Sequence, residues 1–94
     1  MSVYVVVPLG EHREVLEEKI KALPTQDVYL LPEASGWLIK FGGTTRELSA
    51  AIGIPVGKEQ YGDTSPTALV TLLSFYFGFG PAEMWEWARS RTEA

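Results

Sequence analysis

The sequence predicts a single α+β domain, on the strength of its length and its hydrophobic patterning. The chain has 94 residues, and 46% of them are hydrophobic, which is ordinary for one globular domain. Segments with the two-residue period of strands and segments with the helical period follow one another in the order β-α-β-β-α-β-α. We therefore expect residues 1–94 to fold around one core.

The first half of the chain predicts a strand, a helix and a strand pair. Val3–Leu9 is β-branched and apolar on both faces, which is typical of a central strand. Apolar residues at helical spacing predict a helix over Glu11–Leu23, and Pro24 ends it. Asp27–Pro32 and Gly36–Phe41 are predicted strands, joined by a short loop.

A second helix is predicted from the residues at its two ends. Thr44 and Glu47 have the spacing of a capping box, in which each side chain binds a free amide of the first helical turn. Gly53 suits the left-handed position after a helix, and Pro55 prevents continuation. Val56–Thr67 shows no period and is predicted to be a surface loop.

The C-terminal third predicts a long strand and a last helix. Ala68–Phe77 alternates between two largely apolar faces, and the strand should end at Gly78. Pro81 suits the first turn of a helix. The natural arrangement is a ferredoxin-like βαββαβ sandwich with an added C-terminal helix. Right-handed crossovers place its first and third strands in the centre of the sheet.

Composition excludes several classes of function. Twelve acidic residues against eight basic ones give a net charge of −4, which disfavours non-specific binding to nucleic acid. The absence of cysteine excludes disulfides and thiolate metal sites. No apolar run is long enough to span a bilayer, and no signal peptide is recognisable. We expect a soluble, cytoplasmic protein that has no cofactor and does not bind membranes.

Catalytic and metal-ligating patterns are missing from the sequence. His12 is the sole histidine, so no multi-histidine metal site can form. Glu11 and Glu14 beside it are explained by the positive end of the predicted helix. No nucleophile motif is present. We expect no catalytic residues and no metal.

The loop between the third strand and the second helix has two interpretations. Gly42, Gly43, Thr44 and Arg46 could hold an anion at the helix N-terminus. The same glycines are equally explained by the turn, and no nucleotide-binding fingerprint is present.

Aromatic residues on the first and third strands also have two interpretations. Tyr4 and Trp37 could stack on single-stranded RNA, as aromatic residues do on some βαββαβ sheets. The alternative is that both rings belong to the hydrophobic core.

A strand-one tyrosine, the helix REVLEEKIKAL, the strand GWLIKF and the helix TTRELSAAI follow one another over residues 3–77. This pattern resembles the small ferredoxin-fold, ribonuclease-like proteins associated with CRISPR loci and their catalytically silent relatives. In active members an aspartate at the end of the first strand holds the metal. Here Val6–Gly10 contains no carboxylate, so the resemblance implies the architecture and a habit of dimerising through the sheet, not catalysis.

The C-terminal third is rich in aromatic residues. Either the last helix buries them, or they form a surface of this chain that binds a second copy or another protein. The candidate partner-binding residues are Phe75, Tyr76, Phe77, Phe79, Trp85 and Trp87. The edge strand beside them has neither charge nor proline over Ala68–Phe79, and such edges tend to pair with other chains.

These observations favour a non-enzymatic protein-interaction domain that forms a homodimer or binds another protein. Small, acidic domains without an active-site motif are typical of phage or mobile-element proteins that modulate a host machine, CRISPR inhibitors among them. The alternative function is a nucleic-acid-binding or metal-dependent ribonuclease-like protein.

Overall fold

Strands and helices succeed one another along the chain in the predicted order. The computed structural model describes residues 1–74 and 78–92. The elements, in chain order, are β1 (Ser2–Pro8), α1 (Arg13–Lys21), β2 (Val28–Leu30), β3 (Trp37–Phe41), α2 (Thr45–Ala51), β4 (Ala68–Leu72) and α3 (Ala82–Thr92). Short 3-10 turns lie in two of the connections, at Pro32–Ala34 and Lys58–Gln60.

The strands that the structure describes form one four-stranded antiparallel sheet in the order β2-β3-β1-β4. β1 pairs with β3 on one side, where Val5 lies opposite Leu38, and with β4 on the other, where Val5 lies opposite Thr71. The first and third strands are therefore central, and the second and fourth are edges, as right-handed crossovers predict. The α+β class is confirmed.

One face of the sheet, the first face, is covered by α1 and α2. Tyr4 and Val6 of β1 and Trp37 and Ile39 of β3 lie on it, because alternate residues of a strand share a face. Apolar side chains from both helices and the residues after them complete the buried cluster: Leu16, Ile20, Leu23, Leu48 and Ile52. Each fully buried leucine or isoleucine stabilises the fold by roughly 1.5–3 kcal/mol, so this cluster is the main core.

The opposite face, the second face, is covered by α3. Val3 and Leu38 are buried there against Ala88, whose small side chain lets the helix approach the sheet closely. Met84 and Trp87 pack beside this contact. The last helix thus folds back onto the sheet, and the fold has three layers in the order helices, sheet, helix.

Helix α1 is shorter than the sequence predicts. It begins at Arg13 instead of Glu11, because His12 has a left-handed backbone (φ 67°) that a right-handed helix cannot include. It ends at Lys21, and Leu23 follows in a turn whose amide donates to the Ile20 carbonyl (3.2 Å). None of the helices in the described part of the chain is long and apolar enough to cross a membrane.

Helix α2 has the predicted punctuation at both ends. The Thr44 hydroxyl accepts from the Glu47 amide (3.1 Å), and the Glu47 carboxylate accepts from the Thr44 amide (2.9 Å). Caps of this kind stabilise by about 1 kcal/mol. After the helix, Gly53 takes a left-handed conformation (φ 85°), which suits glycine because it has no Cβ. The capping box is confirmed.

The last strand is also shorter than predicted. β4 ends at Leu72, not at Phe77, and just beyond it the Leu73 amide donates to the Val3 carbonyl of β1 (2.9 Å). In the register, Ala68–Leu72 lie opposite Tyr4–Pro8, so regular pairing ends two residues short of the start of β1 at Ser2. Likewise β2 covers Val28–Leu30, not Asp27–Pro32, because Glu33 and Ala34 turn the chain with positive φ.

Candidate interaction surface

The outer edge of β4 presents backbone groups that point away from the sheet. β4 is the last strand in the described sheet, and its inner side bonds to β1. The Leu73 amide donates to the Val3 carbonyl (2.9 Å), which shows that odd-numbered residues here face β1. Since backbone direction alternates along an antiparallel strand, the amides and carbonyls of Ala68, Val70 and Leu72 point outward.

Two leucines of β4 are exposed on opposite faces of the sheet. Leu72 lies opposite Tyr4 in the register and therefore on the first face, and it is 49% exposed. Leu69 lies opposite Val7, on the second face, and it is 53% exposed. Ala68 and Val70 of the same strand pack partly against the first-face core. The edge therefore combines open hydrogen-bonding groups with apolar side chains on both faces.

The chain around this edge is electrically neutral. The stretch from Thr64 to Ala82 contains no Asp, Glu, Lys, Arg or His. Natural edge strands are commonly protected by a charged side chain or a proline, and neither occurs within Ala68–Leu72. Pro66, which precedes the strand, is buried. β4 itself, Ala68–Leu72, therefore carries neither of these protective features.

The structure describes three of the six residues of the predicted aromatic surface. Phe75, Tyr76 and Phe77 lie outside the described residues. Phe79 is fully exposed. Trp85 is half-buried, and its ring lies so near the preceding glycines that a Cβ at Gly78 would be 3.2 Å from it. From within α3, Trp85 therefore packs against the turn that leads into that helix.

Trp87 packs α3 against the second face of the sheet. Its ring lies 5.9 Å from the ring of Tyr29 on β2, and the guanidinium of Arg91 lies 4.4 Å above it. The same Arg91 binds the carboxylate of Asp27 (3.0 and 3.1 Å). Trp87 thus has a structural role in holding the helix.

An apolar cavity of about 210 Å³ lies between α3 and the second face. Its lining is hydrophobic and comes from the sheet, the segments after β2 and β4, and α3: Val5, Leu31, Leu38, Leu73, Met84, Trp85 and Ala88. The ion pair that holds α3 lies at the C-terminal end of the helix.

In the predicted anion-binding loop, a backbone amide already binds an anionic side chain, the carboxylate of Glu47. The Glu47 carboxylate accepts from the Thr44 amide, and the Tyr4 hydroxyl donates to the Gly43 carbonyl. The hydrogen bonds from Thr44 hold the pKa of Glu47 below its ordinary value. Arg46 is exposed. An external anion at Gly42, Gly43, Thr44 and Arg46 would compete with this carboxylate, and the site stays a prediction.

The aromatic residues of the central strands are core residues. Tyr4 and Trp37 both lie beneath α1 and α2 on the first face and are buried. The guanidinium of Arg13 lies 4.7 Å from the Trp37 ring and covers its outer side. Neither ring can stack on a nucleic-acid base in this fold, so the interpretation that these rings are core is the one the structure supports.

The described residues hold no cluster that could bind a metal. In residues 1–74 and 78–92, no three His, Cys, Asp or Glu side chains come together as ligands. His12 lies 4.0 Å from Glu14, near the start of α1. The absence of a metal, a cofactor and catalytic residues from the protein stays a prediction.

Two features of this surface are missing from the sequence-based candidates. Leu69 and Leu72 are candidate contact residues because of their exposure on an edge strand, and only the alternating pattern together with the strand order could have identified them. The contact between Asp27 and Arg91 joins residues 64 positions apart, and no local pattern signals it.

No protein-family model, no curated protein and no solved structure matches this chain. Function therefore has to be inferred from the surface itself.

Proposed function

We propose that this chain is a non-enzymatic protein-interaction domain that forms a homodimer through the open edge of β4. The observation that supports it is the uncharged, proline-free edge strand with an exposed leucine on each face. Unpaired strand edges add strands from other chains, with backbone hydrogen bonds giving affinity and side chains giving specificity.

The fold proposed for this domain is ferredoxin-like. The strand order β2-β3-β1-β4, antiparallel throughout, with α1 and α2 on the first face, supports this finer assignment. In this arrangement α3 is the added element, and it occupies the second face that a βαββαβ unit alone would leave open. With that face covered, the β4 edge is the surface best suited to a partner.

The proposed function is tested by sedimentation across protein concentration. Leu72→Lys places a charge on the β4 edge and should weaken self-association about tenfold or more, which corresponds to about 1.4 kcal/mol. Leu30→Lys is the matched control, since Leu30 lies on the other edge strand, on the same face, and is 51% exposed. It should leave the association unchanged.

Two results would contradict the proposal. A wild-type protein that stays monomeric at millimolar concentration has no homodimer to explain. Equal weakening by Leu72→Lys and Leu30→Lys would mean that the interface does not distinguish the two edges. Circular dichroism of both variants checks that each remains folded.

A further inference from the structure

We infer that two copies pair their β4 strands antiparallel about a two-fold axis that passes midway between the two Val70 residues. This inference rests on the proposed self-association and specifies its geometry. It predicts that the four-stranded sheets of the two copies join into one continuous eight-stranded sheet. In this sheet Val70 faces Val70 of the second copy, and Ala68 faces Leu72 of the second copy.

The hydrogen bonding of the edge favours this register. Val70 is the middle residue of Ala68–Leu72, and the outward groups of β4 belong to Ala68, Val70 and Leu72. A two-fold axis at Val70 pairs Val70 with its equivalent and Ala68 with Leu72, so every outward amide and carbonyl of the strand finds a partner. Pairing beyond the strand is limited at Pro66, which has no amide hydrogen.

The side chains also fit this register. Residues directly opposite each other in an antiparallel pair share a face. On the second face, the exposed Leu69 of one copy meets Thr71 of the other. On the first face, the exposed Leu72 meets Ala68. Each leucine therefore lies beside a smaller residue, which avoids a clash of two large side chains and covers both exposed leucines.

Charge favours a second copy as the occupant. Each chain has a net charge of −4, but Thr64–Ala82 contributes none of it. Two β4 edges can therefore approach without placing like charges opposite each other, which is destabilising in a cross-strand pair. A charged partner strand would find no complementary charge along this edge.

The test is register-specific disulfide trapping, which the absence of native cysteine makes unambiguous. Leu69→Cys and Thr71→Cys are made separately, and the two proteins are mixed and oxidised. In the inferred register these positions form a non-hydrogen-bonded pair with Cα atoms about 4.5 Å apart, within the range of roughly 4.4–6.8 Å that a disulfide spans. The two copies of position 69, and likewise the two copies of position 71, lie diagonally across the strand pair, about 7–8 Å apart.

The expected result is a mixed disulfide far above the share that random pairing would give, with each variant alone crosslinking poorly. Leu69→Cys crosslinking to itself would place the axis at Leu69, and Thr71→Cys crosslinking to itself would place it at Thr71; either result overturns the inference. Wild-type protein that sediments as a dimer while the mixture gives no enriched disulfide also overturns it, but leaves the proposed function standing. A monomeric wild type overturns both.

Discussion

The two edges of the sheet differ in how much backbone they leave open. On β2 the amide of Val28 donates to the Gln26 carbonyl (3.0 Å), so a local turn already occupies it. Pro32, shortly after the strand, has no amide hydrogen. The one outward amide left within Val28–Leu30 is that of Leu30, whereas β4 directs outward the amides of three residues, 68, 70 and 72.

The β2 edge is also held from the side, and the β4 edge is not. Tyr29 contacts Trp87, and Asp27 binds Arg91, so α3 is fixed along β2. No such pair of contacts reaches β4 from the described part of α3. A sheet with one open edge can add one partner and then stop, because pairing uses up the open edge of both copies. The difference therefore predicts a closed dimer and not a fibre.

Removing the ring that holds α3 should have the largest effect. Trp87→Ala is expected to lower the free energy of unfolding by about 2–4 kcal/mol, since the ring is half-buried between Tyr29 and Arg91. Phe79→Ala removes a fully exposed ring and serves as the control, with little expected change. Denaturant unfolding gives both values.

Trp87→Ala also distinguishes the second face from the β4 edge as the interface, which the sequence alone cannot do. Sedimentation of Trp87→Ala, under conditions where it is folded, should show unchanged dimerisation. Loss of the dimer without loss of stability would instead make Trp87 a contact residue, and the second face would replace the β4 edge as the interface.

A smaller effect is expected from the ion pair beside β2. Asp27→Asn removes the charge that Arg91 binds, and a partly exposed pair of this kind contributes about 0.5–1 kcal/mol. The loss should shrink at high salt, which screens exposed charges. Asp63→Asn, in the exposed loop before β4, is the control and should change little. Equal losses from both variants would show that Asp27 has no specific role.

The smallest effect concerns pH and Tyr29. Desolvation, and then the nearby carboxylate of Glu83, raise the pKa of Tyr29 above its ordinary 10.0. The folded state therefore holds the phenolic proton more tightly than the unfolded state, so stability should fall slightly as pH rises above 10.0. Glu83→Gln should reduce this dependence in unfolding experiments at alkaline pH. An unchanged dependence would mean that Glu83 does not act on this phenol.

Local sequence patterns predicted the elements well. Alternating apolar residues located the strands, and Thr44, Glu47 and Gly53 located the ends of α2, because these signals act between neighbours in the chain. The strand order followed from the handedness of crossovers. Each of these predictions needs only the residues nearby or a general rule of chain topology.

Features that depend on distant partners could not be predicted in this way. The extent of β4 depends on its pairing with β1, a strand far away in the sequence. The place of Trp87 depends on Tyr29, far away in the sequence. The sequence therefore identified the C-terminal third as the candidate interface, but not which of its residues hold α3 and which remain exposed.

Amide hydrogen exchange, resolved residue by residue by NMR at low and high protein concentration, tests the open edge most directly. The amides of Ala68, Val70 and Leu72 should exchange rapidly in dilute solution and slowly in concentrated solution, because the second copy then binds them. Those of Leu69 and Thr71 should be slow at both concentrations, since they donate to β1. Outward amides that exchange at the same rate at both concentrations, while the mass doubles, would contradict pairing through β4.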